Sequence, residues 1–178
     1  MRRDEEQSEA RPARPGPATD PRAPYVRAAV VGLILRDDGR GGPDSLDGLG
    51  GSWLLLHRSE PVDAWDPPGG RMERGEDLTT TAVREIAEET GLAVRVGGPC
   101  YASLSVYRGE RLLAVSMACR PISDPDLLSL EPGGASEWRW VSADEWERLA
   151  AEGRSTWDVN DVKKATRMAT VLWEVNVT

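Results

Sequence analysis

Residues 70–92 read GRMERGEDLTTTAVREIAEETGL, and the spacing inside this stretch decides the fold around it. Gly70 is followed by Glu76, then by Arg84-Glu85, then by Glu88-Glu89, and Gly91-Leu92 close the run. Helix-start signals gather at Glu76 and Asp77. The Asp77 side chain can accept an orphan backbone N–H, and both carboxylates suit the positive end of a helix dipole. Gly91 suits the end, because glycine takes the left-handed C′ conformation without steric cost. The spacing predicts a helix over about residues 77–90.

At 3.6 residues per turn, Thr79, Val83, Ile86, Ala87 and Thr90 share one face, and Val83, Ile86 and Ala87 are expected to anchor the helix. Glu85, Glu88 and Glu89 share the other. They stand at i, i+3 and i+4, where like charges cost about 0.2–0.5 kcal/mol per pair in isolation. Arg84 is one positive charge against three, so a bound cation is the natural complement. Glu76 precedes Glu85 by nine residues, which sets it about half a turn round the helix from Glu85, so it is expected to order the loop rather than share a metal with Glu85. An acidic helix face is ordinarily just solvated. Here nine fixed positions fall at set spacing, and a chance match is on the order of one in a million.

Those nine positions resemble the Nudix box: glycine, five residues, glutamate, seven residues, Arg-Glu-aliphatic, one residue, Glu-Glu, one residue, glycine-aliphatic. Every position is filled. Flanking features extend the resemblance: Trp65-Asp66-Pro67-Pro68-Gly69-Gly70 is similar to the usual approach to the box, and Glu137-Trp138-Arg139-Trp140-Val141 to a late strand of the family. The resemblance implies an α+β fold, an α/β/α sandwich around a mixed sheet. It also implies hydrolysis of a nucleoside diphosphate linked to another group, with Mg2+ (or Mn2+) as cofactor. The residue types agree independently, since hard cations prefer oxygen ligands. One histidine and two cysteines make a zinc site improbable.

By position in the box, Glu85 and Glu89 resemble the main metal ligands, with Glu88 a third and the Gly69 carbonyl the backbone ligand. Which glutamate acts as base varies across the family. Glu85 is one candidate. Glu137 matches a glutamate outside the box that binds metal or activates water in some members, and a solvated loop residue weighs equally. Arg84 is read as orienting the carboxylates. Arg27 and Arg58 are candidates to reach phosphate. Trp65, Tyr25, Trp140 and Trp157 are candidates to stack a base, against the commoner core role of such rings. Asp158 and Asn160 fall where some members that sanitise oxidised purine nucleotides read the base, with helix capping the commoner job. His57, at the end of an apolar strand with no serine or cysteine partner in spacing, reads as structural.

The remaining sequence bounds these readings. At 178 residues, one domain is expected, spanning residues 25–178. Residues 1–24 are rich in Arg, Pro and Ala with five basic and five acidic groups, and read as a disordered tail. No signal-peptide core is present there, and the longest apolar run, residues 28–35, is too short to span a bilayer. Cytoplasm with free thiols is the expectation. The net charge of −8 argues against contact with a nucleic acid polymer, yet leaves a small nucleotide substrate open, since bound metal reverses the local sign. A homodimer is left open.

Apolar runs predict strands over 25–36, 53–58, 93–96, 100–107, 112–120 and 138–141. A glycine- and aspartate-rich loop over 37–51 is expected to be mobile or functional. Ser142 and Glu145 have the spacing of a capping box opening a helix, and residues 159–175 form a last amphipathic helix. A two-residue turn at Gly109-Glu110 would set Cys100 opposite Cys119, both reduced.

Accessory signatures rank the substrates. No proline stands about fifteen residues beyond the box, as it does in ADP-ribose hydrolases. Tyr107 lies near the place where dinucleoside polyphosphate hydrolases carry a tyrosine. A nucleoside triphosphate pyrophosphohydrolase is the first reading, and a dinucleoside polyphosphate or nucleotide-sugar hydrolase the second. The reading from another class, a non-catalytic nucleotide-sensing module, is disfavoured because such modules often lose box glutamates that this chain keeps.

Overall fold

The computed structural model describes residues 27–37, 51–59, 62–107 and 110–175, with the backbone alone for 105–107, 110 and 175. The expected tail, Tyr25, most of the 37–51 loop and the side chain of Tyr107 lie outside the described residues.

Seven strands and three helices follow in the order β1 (Arg27–Arg36), β2 (Ser52–Arg58), β3 (Ala64–Asp66), β4 (Gly69–Arg71), α1 (Leu78–Thr90), β5 (Val94–Tyr107), β6 (Glu110–Pro121), β7 (Glu137–Val141), α2 (Ala143–Ala151) and α3 (Val159–Val175). The sheet runs β3-β2-β1-β6-β5, with β4 pairing β1 and β7 pairing β2. Only the β1–β6 pair is parallel, so the sheet is mixed. β1 is the hinge of the arrangement. Residues 29–31 pair with β4, whereas Leu35 and Arg36 pair with β2.

Apolar residues occupy both faces of the central strands, because both are covered. On one face Val30, Ile34, Leu54, Leu56 and Met117 pack with Ala82 and Ile86 of α1. On the other, Leu33, Leu35, Trp53 and Leu55 pack with Trp146 of α2 and Val162, Ala165, Ala169 and Trp173 of α3. This is the α/β/α sandwich expected from the sequence. With no phenylalanine in the chain, tryptophan supplies the large rings: Trp53 and Trp146 are both fully buried. Among the described residues no helix is long and apolar enough to cross a membrane.

Two expectations are corrected. The first concerns the hairpin. Tyr107 pairs with Glu110, so Glu110 belongs to β6 and not to the turn expected at Gly109-Glu110. Irregularities at 96–98 and 99–101 shift the register further, so Cys119 faces Val96 and Cys100 sits in a bulge. β5 (Val94–Tyr107) is also one strand with two irregularities, where two strands were expected. Both thiols are free, and burial pushes each up to about 12.

The second correction concerns the face of α1. Thr81, Ala82, Ile86 and Thr90 are buried, whereas Thr79, Val83 and Ala87 are exposed. The buried stripe is thus rotated from the apolar arc. The cause is local: Thr81 donates to the Glu76 carboxylate and to the Asp77 carbonyl, and Glu85 turns inward against β4.

Candidate active site

The site is built on the loop and helix that follow β4. Asp77 caps α1 by accepting from Thr80 N at 2.7 Å, and Gly91 ends it with φ 70°. Both caps stand where sequence placed them.

Arg84 organises the carboxylates. Its Nε donates to Glu76 Oε1 at 2.6 Å and its Nη2 to Glu76 Oε2 at 2.9 Å. Its Nη1 is shared between Glu85 Oε1 at 2.9 Å and Glu88 Oε2 at 3.0 Å, and Nη2 also donates to the Arg71 carbonyl. Glu76 further accepts from Glu73 N and from the Thr81 hydroxyl. The Arg84 bonds, then the Glu73 N–H, hold Glu76 at about 2, well below the usual carboxylate range. The same bond to Glu76 raises Arg84. Glu76 therefore orders the loop, as expected, and Arg84 orients the neighbouring carboxylates.

Glu85 differs. Its pKa is raised, first by burial and then by the charges of Glu89 and Glu88, against the opposing pull of Arg84. Its carboxylate lies against the main chain of Gly70. A Cβ at Gly70 would sit 2.3 Å from Glu85 Oε2, and one at Gly69 would sit 2.3 Å from the Val30 carbonyl oxygen. Both glycines are required by close approach. Glu89 accepts from Gly69 N at 2.9 Å through Oε2 and from Arg58 Nη2 at 2.5 Å through Oε1. Glu88 is exposed and pairs with Arg84.

The structure thus brings Glu85, Glu88, Glu89, Gly69, Arg84 and Arg58 together. Arg58, expected to reach phosphate, instead grips Glu89. Glu137 opens β7 opposite His57, one residue from Arg58, and is exposed with Arg139 at 3.6 Å. Arg27 opens β1, and the neighbouring Ala28 carbonyl accepts from Met72 N in the box loop.

The base-stacking candidates are committed elsewhere. Trp65 is 3% exposed, with the His57 ring 4.8 Å away and the Arg139 guanidinium 4.4 Å over it. It is a core ring. Trp140 lies under Arg36 and donates to the Pro125 carbonyl. Trp157 packs on Trp146. Asp158 caps α3, accepting from Asn160 N and, through its carbonyl, from Val162 N. It belongs with Asn160 to the helical layer opposite α1.

Sequence reasoning missed the Thr81 hydroxyl, which supports Glu76, and the flanks of His57. Its Nδ1 lies 2.9 Å from Ser136 Oγ and its Nε2 2.6 Å from Asp63 Oδ1. Thr81 is readable in principle from its place in the first helical turn. Ser136 is not, because 79 residues separate it from His57.

This loop–helix constellation on a mixed sheet defines a phosphoanhydride hydrolase of one fold family. A family model described as the NUDIX domain matches residues 26–158, and the chain belongs to the Nudix hydrolase family, enzymes acting on pyrophosphate bonds. It is 30% identical over 140 residues to a MutT-like protein of Streptomyces ambofaciens, covering 79% of this chain and 78% of that one. It is 29% identical over 146 residues to an RNA pyrophosphohydrolase of Caulobacter vibrioides, covering 71% and 77%. Among solved structures, a C. elegans Ap4A hydrolase binary complex aligns with a TM-score of 0.59 at 20% identity, covering 85% of this chain and 96% of that one. That last likeness is one of fold. The family is typically dependent on a divalent metal.

Proposed function

We propose that this protein is a Mg2+-dependent (or Mn2+-dependent) nucleoside triphosphate pyrophosphohydrolase, releasing pyrophosphate. The observation that carries the metal reading is the surplus of anionic oxygen at the β4 edge. Three glutamates of α1 share the donors of Arg84, Arg58 and one backbone N–H, and a glycine leaves room for the Glu85 carboxylate against the main chain.

Among the described residues no three acidic, histidine or cysteine groups already converge on one point. Arg84 and Arg58 each occupy oxygens of these carboxylates. The donor set nevertheless fits a hard divalent ion: all oxygen, net negative and backed by a glycine main chain. Glu85, Glu88 and Glu89 would hold it, with the Gly69 carbonyl as backbone ligand. Bound there, such an ion supplies charge neutralisation on phosphate oxygens and a more acidic water. The chain's own residues do the rest. Arg84 fixes the carboxylate rotamers, Glu76 fixes Arg84, and Glu137 stands at the strand end beside Arg58 as the group to accept a proton from water. Arg27 and Arg58 flank the place of the phosphate chain.

Following phosphate and pyrophosphate release from a panel with Mg2+ tests this reading. The panel holds nucleoside triphosphates, dinucleoside polyphosphates, nucleotide sugars and a 5′-triphosphorylated RNA. Pyrophosphate release from a triphosphate supports it. Preference for a dinucleoside polyphosphate or nucleotide sugar moves the substrate class. Binding without turnover of any member replaces catalysis by sensing.

A further inference from the structure

His57 stands between a carboxylate and a hydroxyl. Its Nε2 meets Asp63 Oδ1 at 2.6 Å and its Nδ1 meets Ser136 Oγ at 2.9 Å. An ionised carboxylate only accepts, so Nε2 carries a proton; at Nδ1 the Ser136 hydroxyl either donates to a bare ring nitrogen or accepts from an N–H while donating to the His57 carbonyl at 3.4 Å. The combination has the residue types of a nucleophilic triad, but Ser136 lacks the surroundings of a nucleophile. Its own N–H donates to the His57 carbonyl at 2.9 Å, which removes the nearest donor for an oxyanion.

What the imidazole joins is more informative. Asp63 directly precedes β3, which runs through Asp66, Pro67 and Pro68 to Gly69. Ser136 directly precedes Glu137. Residue 136 is bonded to His57 by its backbone N–H and by its hydroxyl, which reaches both the ring and the His57 carbonyl. The ring packs on buried Trp65, which Arg139 covers, and Arg139 in turn faces Glu137. One side chain of β2 therefore ties the segment leading to the Gly69 carbonyl to the segment that presents Glu137. α1 reaches the first directly, through the bond from Gly69 N to Glu89, whereas the Glu137 segment is joined to it across β2.

We infer that His57 is a positioning residue: its bridge from Asp63 to Ser136 holds Glu137 and the approach to Gly69 in register with the α1 carboxylates. The inference rests on Glu137 serving the hydrolysis proposed above. The Asp63 end is exposed, with its side chain 81% accessible, so the contact between the two side chains adds little stability, and the effect of His57 falls on turnover more than on folding.

The test compares wild type, His57→Ala, His57→Gln, Glu137→Gln and the His57→Ala/Glu137→Gln double variant. His57→Ala is expected to lose roughly 10-fold in kcat, with KM within about twofold. The double variant is expected to match Glu137→Gln within about twofold, since two changes acting through one group are not additive. His57→Gln, which keeps one hydrogen bond, recovers part of the loss. Multiplied losses in the double variant, or a lowered melting temperature with normal kcat, overturn the inference. Amide hydrogen exchange at Ser136 and Glu137 needs no substrate. Faster exchange in His57→Ala supports the bridge, and unchanged exchange overturns it. A wild type that turns over nothing on the panel therefore defeats the hydrolase reading while the bridge itself is still tested.

Discussion

The two ends of α1 carry similar side chains in opposite states. At the N-terminal end, Glu76 has both oxygens filled by Arg84, Thr81 and the Glu73 N–H, and Asp77 caps Thr80. At the C-terminal end, three glutamates divide one Arg84 nitrogen, one Arg58 nitrogen and the Gly69 N–H. The pKa shifts have opposite signs: the Arg84 bonds hold Glu76 at about 2, while burial, then the neighbouring glutamates, raise Glu85. Carboxylates with saturated oxygens build the loop. Carboxylates with oxygens to spare are where a cation gains most.

The largest break in this contrast comes from the unsaturated end. Glu88→Gln and Glu89→Gln are each expected to lose at least about 100-fold in kcat, roughly 2.7 kcal/mol of barrier, while the melting temperature barely moves. Near-normal turnover in both on a verified substrate would remove the metal assignment. At the saturated end, Arg84→Lys loses the two-pronged grip on Glu76 and is expected to lower folding stability. Denaturant midpoints measure it, and an unchanged midpoint would show Glu76 to be held by Thr81 and Glu73 alone.

A pH series sharpens the same contrast. The folded pKa of Glu76 is depressed, so its contribution is fully present above the ordinary value of 4.5 and is lost as pH falls from there towards about 2. Wild type should exceed Glu76→Gln in melting temperature near neutrality, with the gap closing across that acid window. A gap that stays constant down to pH 3 would contradict the shift. The smallest effect belongs to Val83. It is 40% exposed, so Val83→Ser should change stability by no more than about 0.5 kcal/mol. A loss of several times that would restore Val83 to the anchoring face.

What sequence made legible was local or periodic. The caps at Asp77, Gly91 and Ser142 and the full run of α3 stand as read, because each depends on residues within a few positions. The box glutamates and Arg84 were found the same way. The hairpin register was not readable, since bulges near Gly98 and Cys100 leave no mark in alternation. The buried face of α1 was misjudged because residue type favoured Val83 and Ala87, whereas the pull of Thr81 and the seat of Glu85 at Gly70 set the rotation. The burial of Trp65 and the hold of Arg58 on Glu89 were illegible for another reason. Their partners, Arg139 and Glu89, come from distant strands and helix turns.

The parallel pairing of β1 with β6 carries a consequence for biosynthesis. During synthesis, residues 70–92 emerge well before Leu112–Cys119, the stretch that pairs with β1 beneath α1. Until then the acidic helix has like charges and only part of its floor, and a short isolated helix is marginal in water. The central pair closes a long loop, which slows folding. The nascent chain thus exposes its most functional segment while that segment is least structured, and the last-made partner of β1 decides when the helix becomes permanent.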